Sequence, residues 1–289
     1  VKIFNATKNP DPVRNERLVQ IALSHHLAVS DLQQYDHALT YLWTLQPLFG
    51  ENMAPAMYRM LAVTHERIAL KKLRDAGLPV PAAMPALGGG SVEPGAPGNA
   101  GDASGAADDA SHAEKPVAGA NQPGDEAIKL IRVEAARHFE KAGKYYIDHA
   151  DRVKSVDPQL AGESWWAAAS AYDNAFKWQL AVSTYQKFLE NRGDDPRRID
   201  AIFRLGLAYL ADKRYKQSVE QFQTLRQHHP NHKMTAASMV PMARAHMAQD
   251  HHDEAARVLL EVVTDHPSIT PESAEFRDAL ILLGRLHHQ

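Results

Sequence analysis

The chain has 289 residues, 44% of them hydrophobic, a formal net charge of −3 and no cysteine. That apolar fraction suffices for a core, and the mild negative charge argues against a general nucleic-acid binder. Without cysteine there is no disulfide, no thiolate chemistry and no sulfur-ligated metal, and no apolar run approaches the roughly 20 residues that span a bilayer.

Residues 1–78 read as helical. Asp11-Pro12 is a helix start, and Arg14 to Val29 carries Leu18, Ile21, Ala22 and His25 on one face. Asp31 caps a second helix that ends near Pro47, with Tyr35, Ala38, Leu42 and Leu45 along it, and a third runs from about Asn52 to Asp75. Two readings of this region stand side by side: divergent repeats continuous with the helical pattern of residues 125–289, or an independent small helical domain.

Residues 79–124 change character. Gly88-Gly89-Gly90, several prolines and many alanines occur with no aromatic residue and no isoleucine. Such a stretch buries too little surface to offset its chain entropy, so a disordered linker acting as tether is expected.

From residue 125 to 289 the pattern becomes periodic. Trp165, Ala168-Ala169 and Tyr172 are followed by Ala181, Tyr185 and Phe188. Ile202, Leu205-Gly206 and Tyr209 are followed by Ser218, Phe222, Leu225 and Pro230. Met239, Met242-Ala243 and His246 are followed by Ala255, Leu259, Val262 and Pro267. The small column, Ala169, Gly206 and Ala243, recurs every 37 residues. Large and small residues at i, i+3, i+4 and i+7 make one helical stripe whose small member lets a second helix approach closely. Polar stretches at 174–178, 211–215 and 248–252 mark the turn inside each hairpin. A period of this size means a solenoid whose units cannot bury their apolar faces alone. The units fall at about 163–199, 200–236 and 237–273, with a degenerate one at 126–162 around Ala136, Phe139, Gly143 and Tyr145. Leu280, Leu283, Gly284 and His287 begin a further unit at 274–289. That last helix lacks its partner in the sequence, and the opening shows no export signal, so both ends read as cut from a longer protein or capped by a neighbour.

These columns resemble the tetratricopeptide repeat family, whose pattern of Trp, Leu-Gly and Tyr, then Ala, Phe and Pro, they match one by one; Ile202-x-x-Leu205-Gly206-x-x-Tyr209 is the cleanest copy. The resemblance implies an all-α, right-handed superhelical solenoid of antiparallel hairpins, interrupted here by the linker. The period exceeds the family's usual length of about 34 residues. The longer links, with Tyr-Gln-Lys-Phe-Leu running into Asp-Asp-Pro, look like bacterial envelope lipoproteins and their periplasmic relatives, which makes the cell envelope the expected compartment.

In the family the first helices of successive hairpins line the inner surface. Carried over to this sequence, the groove would present Trp166, Phe203 and Val240, then Ser170, Leu207 and Arg244, then Asn174, Leu210 and Met247, with Asp173 and Ile281 beside them. Such an apolar ladder suits an extended or helical peptide. Trp166 has a second reading, as core packed near Tyr145. A basic cluster of Arg197, Arg198, Arg204, Lys213, Arg214 and Lys216 is either a site for an acidic partner or solvated surface.

Catalytic signatures are incomplete. His65-Glu66-Arg67-Ile68-Ala69 has alanine where a zinc-protease helix needs its second histidine, and the glycine run lacks the lysine of a phosphate loop. Sixteen histidines raise the possibility of a metal-binding protein, but His228 and His232 are separated by Pro230, and His229 and His266 precede closing prolines, where a cation suits a helix C-terminus. The expectation is therefore a non-catalytic scaffold for a protein or peptide, with no cofactor, no metal, no nucleic acid and no membrane insertion. The alternatives are a regulatory or substrate-presenting arm of a larger enzyme and, third, a histidine-rich metal binder. Replacing residues 79–124 by a short flexible link should leave helical content by circular dichroism and the melting temperature nearly unchanged; an unfolded product would overturn the tether reading.

Overall fold

The computed structural model describes residues 33–45, 55–81, 124–264 and 269–287. The helix expected over Arg14 to Val29 and most of the segment expected to be disordered lie outside the described residues. Among the described residues all regular structure is helical: α1 Tyr35–Leu45, α2 Pro55–Asp75, α3 Asp125–Val153, α4 Pro158–Asn174, α5 Trp178–Asn191, α6 Arg198–Ala211, α7 Tyr215–His228, α8 Lys233–Met247, α9 His252–Thr264 and α10 Ala274–His287. Each helix packs on the next, and α8 also touches the first helices on either side, α6 and α10. This is a solenoid of antiparallel hairpins.

The three hairpin turns share one device. Phe176, Lys213 and Asp250, again 37 residues apart, take the left-handed conformation with φ of 56°, 61° and 57°. The N–H of the following residue then donates back to the column aromatic or its substitute: Lys177 to the Tyr172 carbonyl at 2.9 Å, Arg214 to Tyr209 at 2.8 Å and His251 to His246 at 3.0 Å. Phe176, Lys213 and Asp250 donate to Asp173, Leu210 and Met247 at 2.9, 3.1 and 3.0 Å. Both bonds of a Schellman closure are thus present three times, satisfying carbonyls that a helix end leaves without partners.

The repeated columns occupy equivalent surroundings. Trp165, Ile202 and Met239 are 3%, 5% and 1% exposed, and Tyr185, Phe222 and Leu259 are fully buried. Gly206 shows why its column is small: a Cβ there would clash with the edge of the Phe222 ring. Ser218 fixes the same crossing by donating to the Gly206 carbonyl at 2.8 Å. On α10 the column is only partly covered: Leu283 packs on the core, but Leu280 is 51% exposed and Gly284 faces open space.

The expected unit at 126–162 takes a different form. Residues 125–153 are one unbroken helix of 29 residues, not a hairpin. Gly143 does not end it. Its missing side chain makes room for the Tyr172 ring, whose Cε1 would lie 2.7 Å from a Cβ at that position. The antiparallel partner of α3 on its other side is α2, from across the 82–123 segment. Lys72 pairs with Glu134 at 2.8 Å, Tyr146 donates to Glu66 at 2.8 Å, and Arg152 donates to the Tyr58 hydroxyl at 2.8 Å. Ala62 of α2 joins the core of α3 to α6.

Gly206→Ala should lower the melting temperature, because overpacking a buried ring costs about 1–3 kcal/mol against about 1 kcal/mol gained in helix propensity. Gly284→Ala gains the propensity without the clash and should raise it slightly. A matched pair of thermal melts reads the contrast.

Candidate partner-binding groove

The expected ladder falls on the first helices α4, α6, α8 and α10, but not all of it is accessible. Trp166 is 8% exposed. Its ring packs against Tyr185 and Phe188 of α5, with centroids 5.9 and 5.6 Å away. The guanidinium groups of Arg197 and Arg204 lie 5.8 and 5.7 Å from its centroid. Trp166 is thus core of its own hairpin, not of the preceding one; Tyr145 is stacked on His65 instead. Ser170 and Val240 are buried too, so these three ladder positions present little surface to a ligand. Val240 closes off because its helix is flanked by both α6 and α10.

Polar groups secure this junction. Tyr185 donates to the Asp173 carboxylate at 2.7 Å, and burial lifts the Asp173 carboxyl to about 6 and the Tyr185 phenol well above its ordinary range. Arg197 donates twice to Asp195, from Nε and Nη2, each at 2.9 Å. Those bonds hold the buried Asp195 carboxyl below its usual value. Arg192 also lies near Asp195, at 3.6 Å. The link between hairpins is therefore an ordered clasp over Trp166. The basic cluster is largely consumed in this way: besides Arg197 and Arg204, Arg198 donates to the Leu189 carbonyl at 3.2 Å and Arg214 lies 4.6 Å from the Tyr209 ring. Nothing in the local sequence announced the clasp, beyond two aspartates followed, after Pro196, by two arginines at residues 194–198.

What the groove does present is Phe203, Leu207 and Leu210 on α6 and Met247 on α8, all half-buried, with Asn174 at one end and Arg244 at the other. Phe203 rests on Phe222 with centroids 6.2 Å apart. Arg244 pairs with Asp278 of α10 at 2.9 Å, tying one first helix to the next. Ile281 is exposed on α10. Among the described residues no three histidine, cysteine, aspartate or glutamate side chains converge to hold a metal, and no helix is long and apolar enough to cross a membrane.

Residues 200–232, the hairpin of α6 and α7, match the model of the tetratricopeptide repeat. The flanking hairpins repeat its columns, its turn and its crossing. The α6 and α7 hairpin is thus similar to a tetratricopeptide repeat, set in an all-helical solenoid. Among solved structures the chain is similar to a Podosopora anserina chain described as a kinesin light chain with nearly identical TPR-like repeats, at 19% identity and a TM-score of 0.44 over 56% of this chain and 86% of that one. No curated protein matches the sequence. Tetratricopeptide repeats suggest a protein-interaction scaffold.

Trp166→Ala should behave as a core deletion, costing about 3–5 kcal/mol with loss of cooperative unfolding in the first hairpins. Leu207→Ala, on the half-buried ladder, should leave the melt nearly unchanged.

Proposed function

We propose that the chain is a non-catalytic scaffold that holds an extended or helical peptide against the first helices of its hairpins. The observation that carries this reading is the half-buried apolar ladder of Phe203, Leu207, Leu210 and Met247, which is continuous across α6 and α8 and bordered by Asn174 and Arg244. Apolar side chains of a peptide would drop between these residues while the two polar ends orient its backbone. Phe203 is the aromatic anchor, since such groups carry a large share of binding energy. Trp166, Ser170 and Val240 act beneath the surface by fixing the helices that display it. A terminal carboxylate is not the feature recognised, because the inner columns hold Phe203, Leu207 and Val240 where a carboxylate clamp needs lysine and asparagine. The long links between hairpins favour a bacterial envelope setting for this scaffold.

A photo-crosslinking residue placed at Leu207 should capture a partner in cells, while the same residue at Leu260, exposed on the second helix α9, should capture none. Equal capture at both positions would overturn the groove reading.

A further inference from the structure

The seam between α2 and α3 contains a contact unlike the others that hold it. His65 and His138 face each other with their Nδ1 atoms 2.9 Å apart and ring centroids 5.1 Å apart. Tyr145 is stacked on His65 with centroids 5.7 Å apart and planes 8° from parallel. His65 is buried, and its Nε2 has no hydrogen-bond partner. A short contact between two imidazole nitrogens needs one N–H and one bare nitrogen. The pair therefore requires its rings to be no more than singly protonated, and burial favours both neutral.

We propose that the His65 and His138 pair is an acid-sensitive latch, which keeps α1 and α2 docked on the repeat array near neutral pH and releases them as it takes up protons. The first added proton leaves the hydrogen bond intact but places a cation in a buried seam. The second occupies the accepting nitrogen, so two N–H groups oppose each other and the bond is lost. Release would uncover the α3 surface and the edge of the apolar core that Ala62 and Val63 of α2 now join.

The charges around the pair set its window. Burial first, then His138 and Lys141, hold His65 down to about 4, and burial followed by Lys141 and Lys72 lowers His138. Asp36 from α1 and Glu134 from α3 pull His138 the other way, but Glu134 is already paired with Lys72. Both folded values lie below the ordinary 6.5. The latch is accordingly at full strength above about pH 6.5 and is lost as the pH falls toward 4. Glu66, the neighbouring residue, acts in the opposite sense: burial raises its carboxyl, so acid favours its docked, protonated form beside Tyr146. Release is the net of two histidines against that one carboxyl.

Hydrogen exchange on the full chain at pH 7.5 and 5.0, corrected for intrinsic rates, tests the latch. Protection of residues 55–75 should fall at least tenfold more than that of residues 198–264. His138→Gln, which keeps a hydrogen-bonding side chain but cannot titrate, should reduce the difference to under threefold. An equal fall in both regions, or an unchanged difference in His138→Gln, would overturn the proposal. Should the variant unfold at pH 7.5, nuclear magnetic resonance titration of the histidine ring protons in the unaltered chain decides: values well below 6.5 for both rings support the latch, and ordinary values sink it.

Discussion

No hairpin in this chain can bury both of its faces, and the rest of the structure depends on that constraint. Tyr185 and Phe188 are fully enclosed only because α4 covers them on one side and the start of the next hairpin closes the other; Phe222 and Leu225 stand in the same relation to α6 and α8. Burying each such ring contributes about 1.5–3 kcal/mol, but only if the two axes come close enough to exclude water and leave no void. The small column is what permits that distance. At Gly206 even a methyl group is too much, and at Gly143 the same solution serves a different pair, α3 against Tyr172 of α4. Stability in such an array is a chain of nearest-neighbour terms, so the interfaces, more than the hairpins, are its units.

Much of this was written locally in the sequence. The columns at Trp165, Ile202 and Met239, the small residues 37 apart and the polar turns all express a 3.6-residue stripe, which a helix imposes whatever it packs against. The left-handed turn residues were less visible, since Phe176 is a poor advertisement for positive φ while Asp250 is a better one. Pairings between distant elements were not legible. Gly143 entered as one position of a degenerate unit, and only the Tyr172 ring explains why it is a glycine. Nor does any local pattern say that α2 returns to α3 after the intervening segment, because their ties, such as Glu66 to Tyr146, join residues of no shared period.

The candidate groove shows the same division. Helical spacing put Trp166, Phe203 and Val240 on one line, but accessibility depends on what lies over the line. The link after α5 brings Asp195 and Arg197 back across Trp166, while the corresponding aromatic of the next hairpin, Phe203, stays half-buried. The extra residues in that link thus do two things at once: they lengthen the repeat and they close one end of the groove. A longer period is visible in sequence; the closure is a tertiary consequence of a buried carboxylate that Arg197 satisfies.

The two halves of the molecule are therefore held by different physics. From α4 onward the interfaces are mainly apolar, with polar ties such as Tyr185 to Asp173 within one hairpin and Arg244 to Asp278 between first helices. Along the α2 and α3 seam, apolar contacts such as Ala69 against Phe139 are interleaved with His65, His138, Glu66 and Arg152, each hydrogen-bonded to the opposite helix. A seam of this kind has a specific register, since sliding one turn would strand every polar group unpaired. Among the described interfaces it is also the one whose polar partners include two histidines in contact. Specific register and sensitivity to protonation arise from the same residues, so a change that removed one would weaken the other.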